Sequence, residues 1–181
     1  MMVRAATAAD AAVIAAIYGG HVRESFGTFE EEPPSAGEMA ARVASVRALG
    51  LPYLVAEVEG EAIGFAFAAP FRPRTAYRYT AEDSVYVAPG AARRGIGRAL
   101  LARVIADCEA LGLRQMMAVI GDSANAASIG LHRALGFAPS GVCRAVGFKH
   151  GRWVDTMWMQ RALTDGDRSP PSWAGLTLGG G

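Results

Sequence analysis

From Ser84 to Leu111 the chain reads SVYV, then APGAARRGIG, then RALLARVIADCEAL, and this stretch limits the fold more than any other. Ser84 to Val87 are β-branched, aromatic or small and predict a strand. From Ile96 onward the apolar residues Leu100, Leu101, Val104, Ile105, Cys108 and Leu111 recur at helical spacing. A glycine-bearing turn therefore joins a strand to an amphipathic helix. Gly95 and Gly97 let the backbone approach a ligand with no Cβ in the way, and the first helical turn offers free N–H groups and the positive end of its dipole. Such a turn is an anion cradle.

What is missing narrows the anion. Gly90 and Gly95 have the GxxxxG spacing of a nucleoside-triphosphate loop, but Ile96 and Gly97 stand where Lys and Ser or Thr must follow. Leu100 occupies the third glycine position of a GxGxxG dinucleotide turn, and the turn lies mid-chain. What remains is a short RRGIGRA turn with arginines at 93, 94 and 98, suited to a pyrophosphate with further phosphate nearby. This turn resembles the Q/R-x-x-G-x-G/A signature of the GNAT superfamily of acetyl-CoA-dependent acetyltransferases. Ala92 departs from it at the Q/R position, which removes one side-chain contact from a cradle made mostly of backbone.

Composition bounds the reading further. A chain of 181 residues, about half of them apolar, can bury one sizeable core and favours one domain. Eighteen basic against seventeen acidic residues give no excess to attract nucleic acid. Cys108 falls on the apolar helix face and Cys143 is remote from it with no CxxC spacing. Neither disulfide, zinc nor any other metal site is therefore expected, and a reducing, cytoplasmic setting fits. No apolar run reaches the length of a membrane span, and the first residues lack the apolar core of a signal peptide, so a soluble protein is expected.

Taken in order, Val3–Ala6 predicts a strand, and Thr7 with Asp10 caps a helix carrying Val13, Ile14, Ile17 and Tyr18. Gly19 and Gly20 are expected to weaken that helix, with a loop from His21 to Pro34. Ser35 and Glu38 form a capping box for a second helix that Gly50 stops. Strands at 53–58 and 62–69 turn at Glu59-Gly60, and a basic, aromatic loop, PFRPRTAYRYT, leads into SVYV. After the Ile96–Leu111 helix come a parallel strand at 115–120, a helix through Leu135 and two last strands turning at HGR. The resulting order, β-α-α-β-β-β-α-β-α-β-β over 1–163, is that of the GNAT fold, an α/β (α+β) mixed sheet of about seven strands with four helices. Residues 164–181 read as a Pro/Gly-rich tail with little reason to fold alone.

Longer phrases are similar to the phosphinothricin and methionine sulfoximine N-acetyltransferases of that superfamily: TFEEEP at 28–33, RPRTAYRYTAE at 72–82, SVYV at 84–87, AVIGD at 118–122, NAASIGLHRALGF at 125–137 and GFKHGRW at 147–153. The resemblance implies transfer of an acetyl group from acetyl-CoA to the α-amine of a small acidic amino-acid analogue, directly in a ternary complex, by a commonly dimeric enzyme. It gives Glu82 the role of base and His132 that of the acid facing the departing thiolate. Asn125 is placed against the CoA arm, beside Ser128. Val85, Tyr86, Val87, Arg93, Arg94, Gly95, Ile96, Gly97 and Arg98 complete the acetyl-CoA set. Phe29, Arg72, Arg74, Tyr77, Ser84 and Gly121 form the amine site.

The residues themselves support parts of this. By the period of two, Glu82, Ser84 and Tyr86 share a strand face that is unusually polar for an interior strand. An ammonium substrate needs a base before it can attack a thioester, and a glutamate with an ordinary pKa of about 4.3 serves well only if partly buried or relayed by water. Arg72 and Arg74 present planar forks suited to carboxylate or phosphinate, and with Arg78 they leave no acid in the loop to greet a cationic polyamine or aminoglycoside. A peptide N-terminus as the acceptor, or a CoA-binding module without turnover, stay open as alternatives.

Overall fold

Residues 1–178 are described by a computed structural model. Its strands β1 (Met2–Ala5), β2 (Tyr53–Val58), β3 (Glu61–Pro70), β4 (Thr80–Val87), β5 (Gln115–Gly121), β6 (Ala138–Lys149) and β7 (Arg152–Ala162) make one sheet, ordered β1-β2-β3-β4-β5-β7-β6. Helices α1 (Ala11–Glu24), α2 (Ala36–Ala48), α3 (Ile96–Ala110) and α4 (Ala126–Ala134) flank it. β4 and β5 run parallel, joined by the α3 crossover; the other neighbours are antiparallel.

The period of two divides the sheet between two cores. Tyr53, Val55 and Phe65 face α1 and α2 and pack with Ile14, Ile17, Tyr18, Val22, Met39 and Val43. Leu54, Ala56, Ala66, Ala68 and Ala81 face the other way, beneath Ile96, Leu100, Leu101, Val104, Ile105 and Cys108 of α3. Small alanines on the sheet let α3 lie close, and each fully buried Leu or Ile contributes about 1.5–3 kcal/mol. The β2–β3 hairpin turns at Glu59 and Gly60, both at positive φ (55° and 86°), as a tight primed turn requires. The Ser35 cap forms as expected: its hydroxyl accepts from Glu38 N–H at 3.2 Å while Glu38 accepts from Ser35 N–H at 2.7 Å.

Two expectations are corrected. α1 does not fail at Gly19-Gly20 but continues to Glu24, taking His21 into the helix and moving the loop's start to Ser25. The reason is tertiary: a Cβ on Gly19 would stand 3.3 Å from Pro33 Cβ, so glycine lets the returning loop pack onto the helix. β4 begins at Thr80, four residues before the SVYV run, because Thr80–Glu82 pair with β5 and Ala81–Asp83 with β3.

Residues 164–178 lie back across the strand ends. Tyr79 Oη donates to Trp173 O (2.9 Å), Trp173 Nε1 to Gly112 O (2.8 Å) and Leu176 N–H to Arg78 O (2.9 Å), while Leu176 itself joins the α3-side core. The Pro/Gly content that predicts no independent structure is compatible with a strap that borrows its order from the domain.

Candidate active site

β4 and β5 are matched at only three residue pairs, Thr80 with Gln115, Ala81 with Met116 and Glu82 with Met117. β4 then follows β3 as far as Gly64–Val87, and β5 follows β7 as far as Gly121–Thr156, so the two strands part. The gap opens a cleft of ≈ 650 Å³ lined by Asp83–Val87 on one side and Ala118–Gly121 on the other. Its far walls are the 91–98 turn, Asn125, Ser128, Leu131 and His132 of the α4 region, and His21, Ser25 and Gly27 from the α1 side. Backbone N–H and C=O groups that would have joined the two strands are left facing the gap.

At one end of the cleft the glycine turn delivers the start of α3. Gly95 is its N-cap in the left-handed region (φ 79°), and the first helical bond runs from Ala99 N–H to Gly95 O, leaving the amides of Ile96, Gly97 and Arg98 ahead of it. Gly97 lies on the lining, where a Cβ would be 3.4–3.8 Å from Leu131, Val87 and Val85. Arg93 and Arg98 line the cleft and Arg94 does not. Here the α3 dipole, bare amides and two guanidiniums converge.

Glu82 sits where the strands separate. It is half-buried, with Arg72 Nη1 3.6 Å from its Oε2. Burial pushes its carboxyl above the ordinary value; Arg72 opposes the shift and Asp83 adds to it. Arg72 donates to Phe71 O (2.7 Å), and its guanidinium stacks 4.3 Å from the Phe71 ring centre and 5.3 Å from that of Trp158. The loop thus brings Arg72 to Glu82, a pairing the sequence does not predict, and neither side chain is among those lining the cleft. Arg74 caps the short 3-10 turn at Thr75–Tyr77, Tyr77 is exposed and edge-on to Phe71, and neither lines the cleft.

His132 is placed differently from a free general acid. It is only 2% exposed; Nδ1 is 2.7 Å from Ser128 O and Nε2 is 3.0 Å from Asp83 Oδ2. A carbonyl accepts only, so Nδ1 carries a proton, and the pair then holds a second proton between Nε2 and the carboxylate. Burial alone would lower the ring's pKa, but the hydrogen bond and charge of Asp83, with the Ser128 carbonyl, outweigh it and raise it. Asp83 points to the α3 and α4 side, opposite Glu82, and its Oδ1 is buried with no hydrogen-bond partner among the described residues.

Asn125 spends its side chain on structure: Oδ1 accepts from Ser128 N–H (3.1 Å) and caps α4, and Nδ2 donates to Gly121 O (3.1 Å). Tyr86 reaches the cleft but packs edge-on to Tyr18 and His21, whose Nε2 lies 2.9 Å from Val87 O. Phe29 stands against Gly121 and Gly147: a Cβ on Gly121 would come within 2.9 Å of its ring, and one on Gly147 would overlap it. Sequence reasoning missed Asp83, His21, Ser25 and Gly27 at the cleft and Lys149 behind it. Asp83 alone carried a signal, as a carboxylate in an otherwise apolar strand face. Among the described residues no group of three His, Cys, Asp or Glu could hold a metal ion, and no helix is long and apolar enough to cross a membrane.

A parallel pair splayed over an anion-binding helix start suits an extended, phosphate-bearing co-substrate. Comparison agrees. The model of the acetyltransferase (GNAT) family matches residues 15–137. Phosphinothricin N-acetyltransferase of Alcaligenes faecalis is 54% identical over 90% of this chain and 82% of its own. The L-methionine sulfoximine/L-methionine sulfone acetyltransferase of Salmonella typhimurium is 38% identical over 91% of this chain and 96% of its own. A crystal structure of a GNAT superfamily phosphinothricin acetyltransferase from Sinorhizobium meliloti in complex with AcCoA superposes with a TM-score of 0.92 at 50% identity, covering 94% of this chain and 92% of that one.

The chain belongs to the GNAT family and is an acetyl-CoA-dependent N-acetyltransferase. The residues present fit acetyl-CoA: the αL turn and unbonded amides suit a pyrophosphate, and the parted strand edges suit an arm that carries amides of its own.

Proposed function

We propose that this enzyme acetylates the α-amine of a small amino-acid analogue of the phosphinothricin, methionine sulfoximine or methionine sulfone type. The observation that carries the reading is Glu82, half-buried at the parting of β4 and β5 with the Arg72 guanidinium 3.6 Å away. Base and anion-binding fork thus stand side by side, as an amino acid with an acidic end requires. The relatives named for such substrates support it.

Bound acetyl-CoA supplies an activated acyl carbonyl. The amides of Ile96–Arg98, with Arg93 and Arg98, would hold its phosphates, and the free edges of Val85–Val87 would receive its amide arm beside Asn125 and Ser128; Arg94, assigned to the phosphates from the sequence, does not line the cleft. Glu82, with its raised pKa, takes the proton from the incoming ammonium, directly or through a water. His132, on the cleft wall, is the candidate acid, but with Nε2 on Asp83 and Nδ1 on Ser128 O it can give up a proton only by releasing one of those hydrogen bonds. Ser84, Gly121 and Phe29 wall the amine side, and Arg72, beside Glu82, receives the anionic end; Arg74 and Tyr77, assigned to that end by resemblance, do not line the cleft.

Exposed Val142, Val146, Phe148 and Trp153 on β6 and β7 give an apolar face fit for a homodimer, and two free cysteines fit a cytoplasmic setting. The test is a thiol-release screen of phosphinothricin, methionine sulfoximine and methionine sulfone beside a polyamine, an aminoglycoside and an alanyl peptide. Catalytic efficiency should favour the first three by at least tenfold. Preference for the peptide, or no thiol release from any amine, overturns the proposal.

A further inference from the structure

Lys149, at the end of β6, is 1% exposed, and its hydrogen-bond partners are carbonyls, not a carboxylate. Nζ donates to Ser25 O at 2.9 Å and to Thr28 O at 2.7 Å. Both carbonyls belong to the loop that leaves α1 and enters the cleft at Ser25 and Gly27. A cation next to the carbonyl end of a helix is favourable, yet an ammonium buried with no carboxylate bonded to it among the described residues is an expensive fastener. Burial accordingly pushes its pKa down, opposed weakly by Glu31 and Glu30.

The fastener is explained by what lies between its contacts and beside them. Gly147 and Lys149 alternate onto the same face of β6, and the Phe29 ring seats over Gly147 so closely that any Cβ would overlap it. The residues flanking Phe29 are tied from the helix side as well. Thr28 Oγ1 lies 2.7 Å from Tyr18 Oη, which donates to Glu30 Oε1 at 2.9 Å, and Arg42 grips Glu30 with both Nη atoms at 2.7 and 3.0 Å. Phe29 is thus held between two anchored neighbours, against Gly121 at the lip of the cleft. A hydrophobic side chain at 149 could fill the space but could not hold two carbonyls at a fixed distance from β6.

We infer that Lys149 is a positioning residue, which sets the place of Phe29 and through it the width of the amine side of the cleft. This rests on the reading that the amine enters beside Phe29. It predicts that loss of the ammonium is felt as poorer fit of the amine, while acetyl-CoA, held across the cleft by α3, is bound as before.

The test is a cycle of Lys149→Met, Phe29→Ala and the double variant, each assayed with whichever amine the enzyme turns over fastest. Failure of the amino-acid reading therefore leaves this experiment interpretable. Lys149→Met should raise KM for the amine about tenfold, with kcat and acetyl-CoA affinity by calorimetry changed less than twofold. Added to Phe29→Ala it should cost less than a further twofold, because its effect passes through the ring. Amide exchange at 27–30 should quicken in Lys149→Met while that of α3 stays as in the parent. Multiplying losses in the double variant, or parallel loss of acetyl-CoA affinity, would overturn the inference. Should the Met variant fail to fold, Lys149→Gln carries the same comparison.

Discussion

The two walls of the cleft are made of different material. Toward α3 most of the groups that matter are main chain, namely the amides of Ile96–Arg98, the αL Gly95 and the free edge of Val85–Val87, with the Arg93 and Arg98 guanidiniums and the Asp83–His132 pair beside them. Toward α1 and the 70–80 loop they are side chains already committed to one another: Glu82 to Arg72, Arg72 to Phe71 and Trp158, Tyr18 to Thr28 and Glu30, Lys149 to the loop. A backbone wall survives replacement of most residues that form it, which is why Ala92 can stand at the signature's Q/R position. A side-chain wall changes with each substitution. One wall is therefore suited to a fixed co-substrate and the other to acquiring a specificity.

The largest expected effect lies on the second wall. Glu82→Gln keeps shape but cannot take a proton, so turnover near pH 7 should fall about a hundredfold or more, and the deficit should shrink at high pH, where more amine is free. A pH series of kcat/KM checks this; near-full activity at pH 7 would move the base elsewhere. Next come the arginines. Removing one fork should cost about 1.5–3 kcal/mol, roughly tenfold to a hundredfold in efficiency. Arg72→Gln, which also strips Glu82 of its neighbouring cation, should harm phosphinothricin and the uncharged-side-chain methionine sulfone alike through the base, and phosphinothricin further through its acidic end. Arg74→Ala, off the cleft lining, should change kcat/KM for either substrate by no more than about twofold.

On the backbone wall a single side chain should matter only where it projects into the cleft. Gly97→Val is expected to weaken acetyl-CoA about tenfold, in a folded protein with unchanged amine KM, as calorimetry beside steady-state kinetics can show. Smallest is a pH trend. The His132 pKa is raised in the fold, so its contribution to stability is full below the ordinary value of 6.5 and is lost as pH rises through the raised one. The melting-temperature advantage of the parent over His132→Gln should therefore narrow from pH 6 toward pH 9. A widening gap would mean that the ring is held neutral.

Legibility followed the same division. The GIG turn, the α3 stripe, the Ser35–Glu38 box and the Glu59-Gly60 hairpin are local, and each is read from spacing because one stretch of chain contains both cause and effect. Seeing Asp83 beside His132 requires folding together residues 49 apart, and Lys149 meets Thr28 across 121. Neither has a periodic signature. Gly19-Gly20 misleads for a related reason: propensity argues for a break, and packing against Pro33 overrides it. Asn125 and His132 are found at the site by resemblance, but only coordinates show that the amide is spent on Gly121 and Ser128 and that both ring nitrogens are engaged.

The three-pair seam between β4 and β5 also bears on how the enzyme melts. With so few ladder bonds, two half-sheets meet along their shortest border, and a molecule lying in the gap becomes the missing rungs. Its affinity then adds directly to the cohesion of the whole domain. At a hundred times its dissociation constant a ligand contributes about 2.7 kcal/mol, which for a domain of this size is about 5–10 °C. Thermal shift with CoA alone should show that gain, and slowed exchange should appear first at the amides of 84–87 and 118–121.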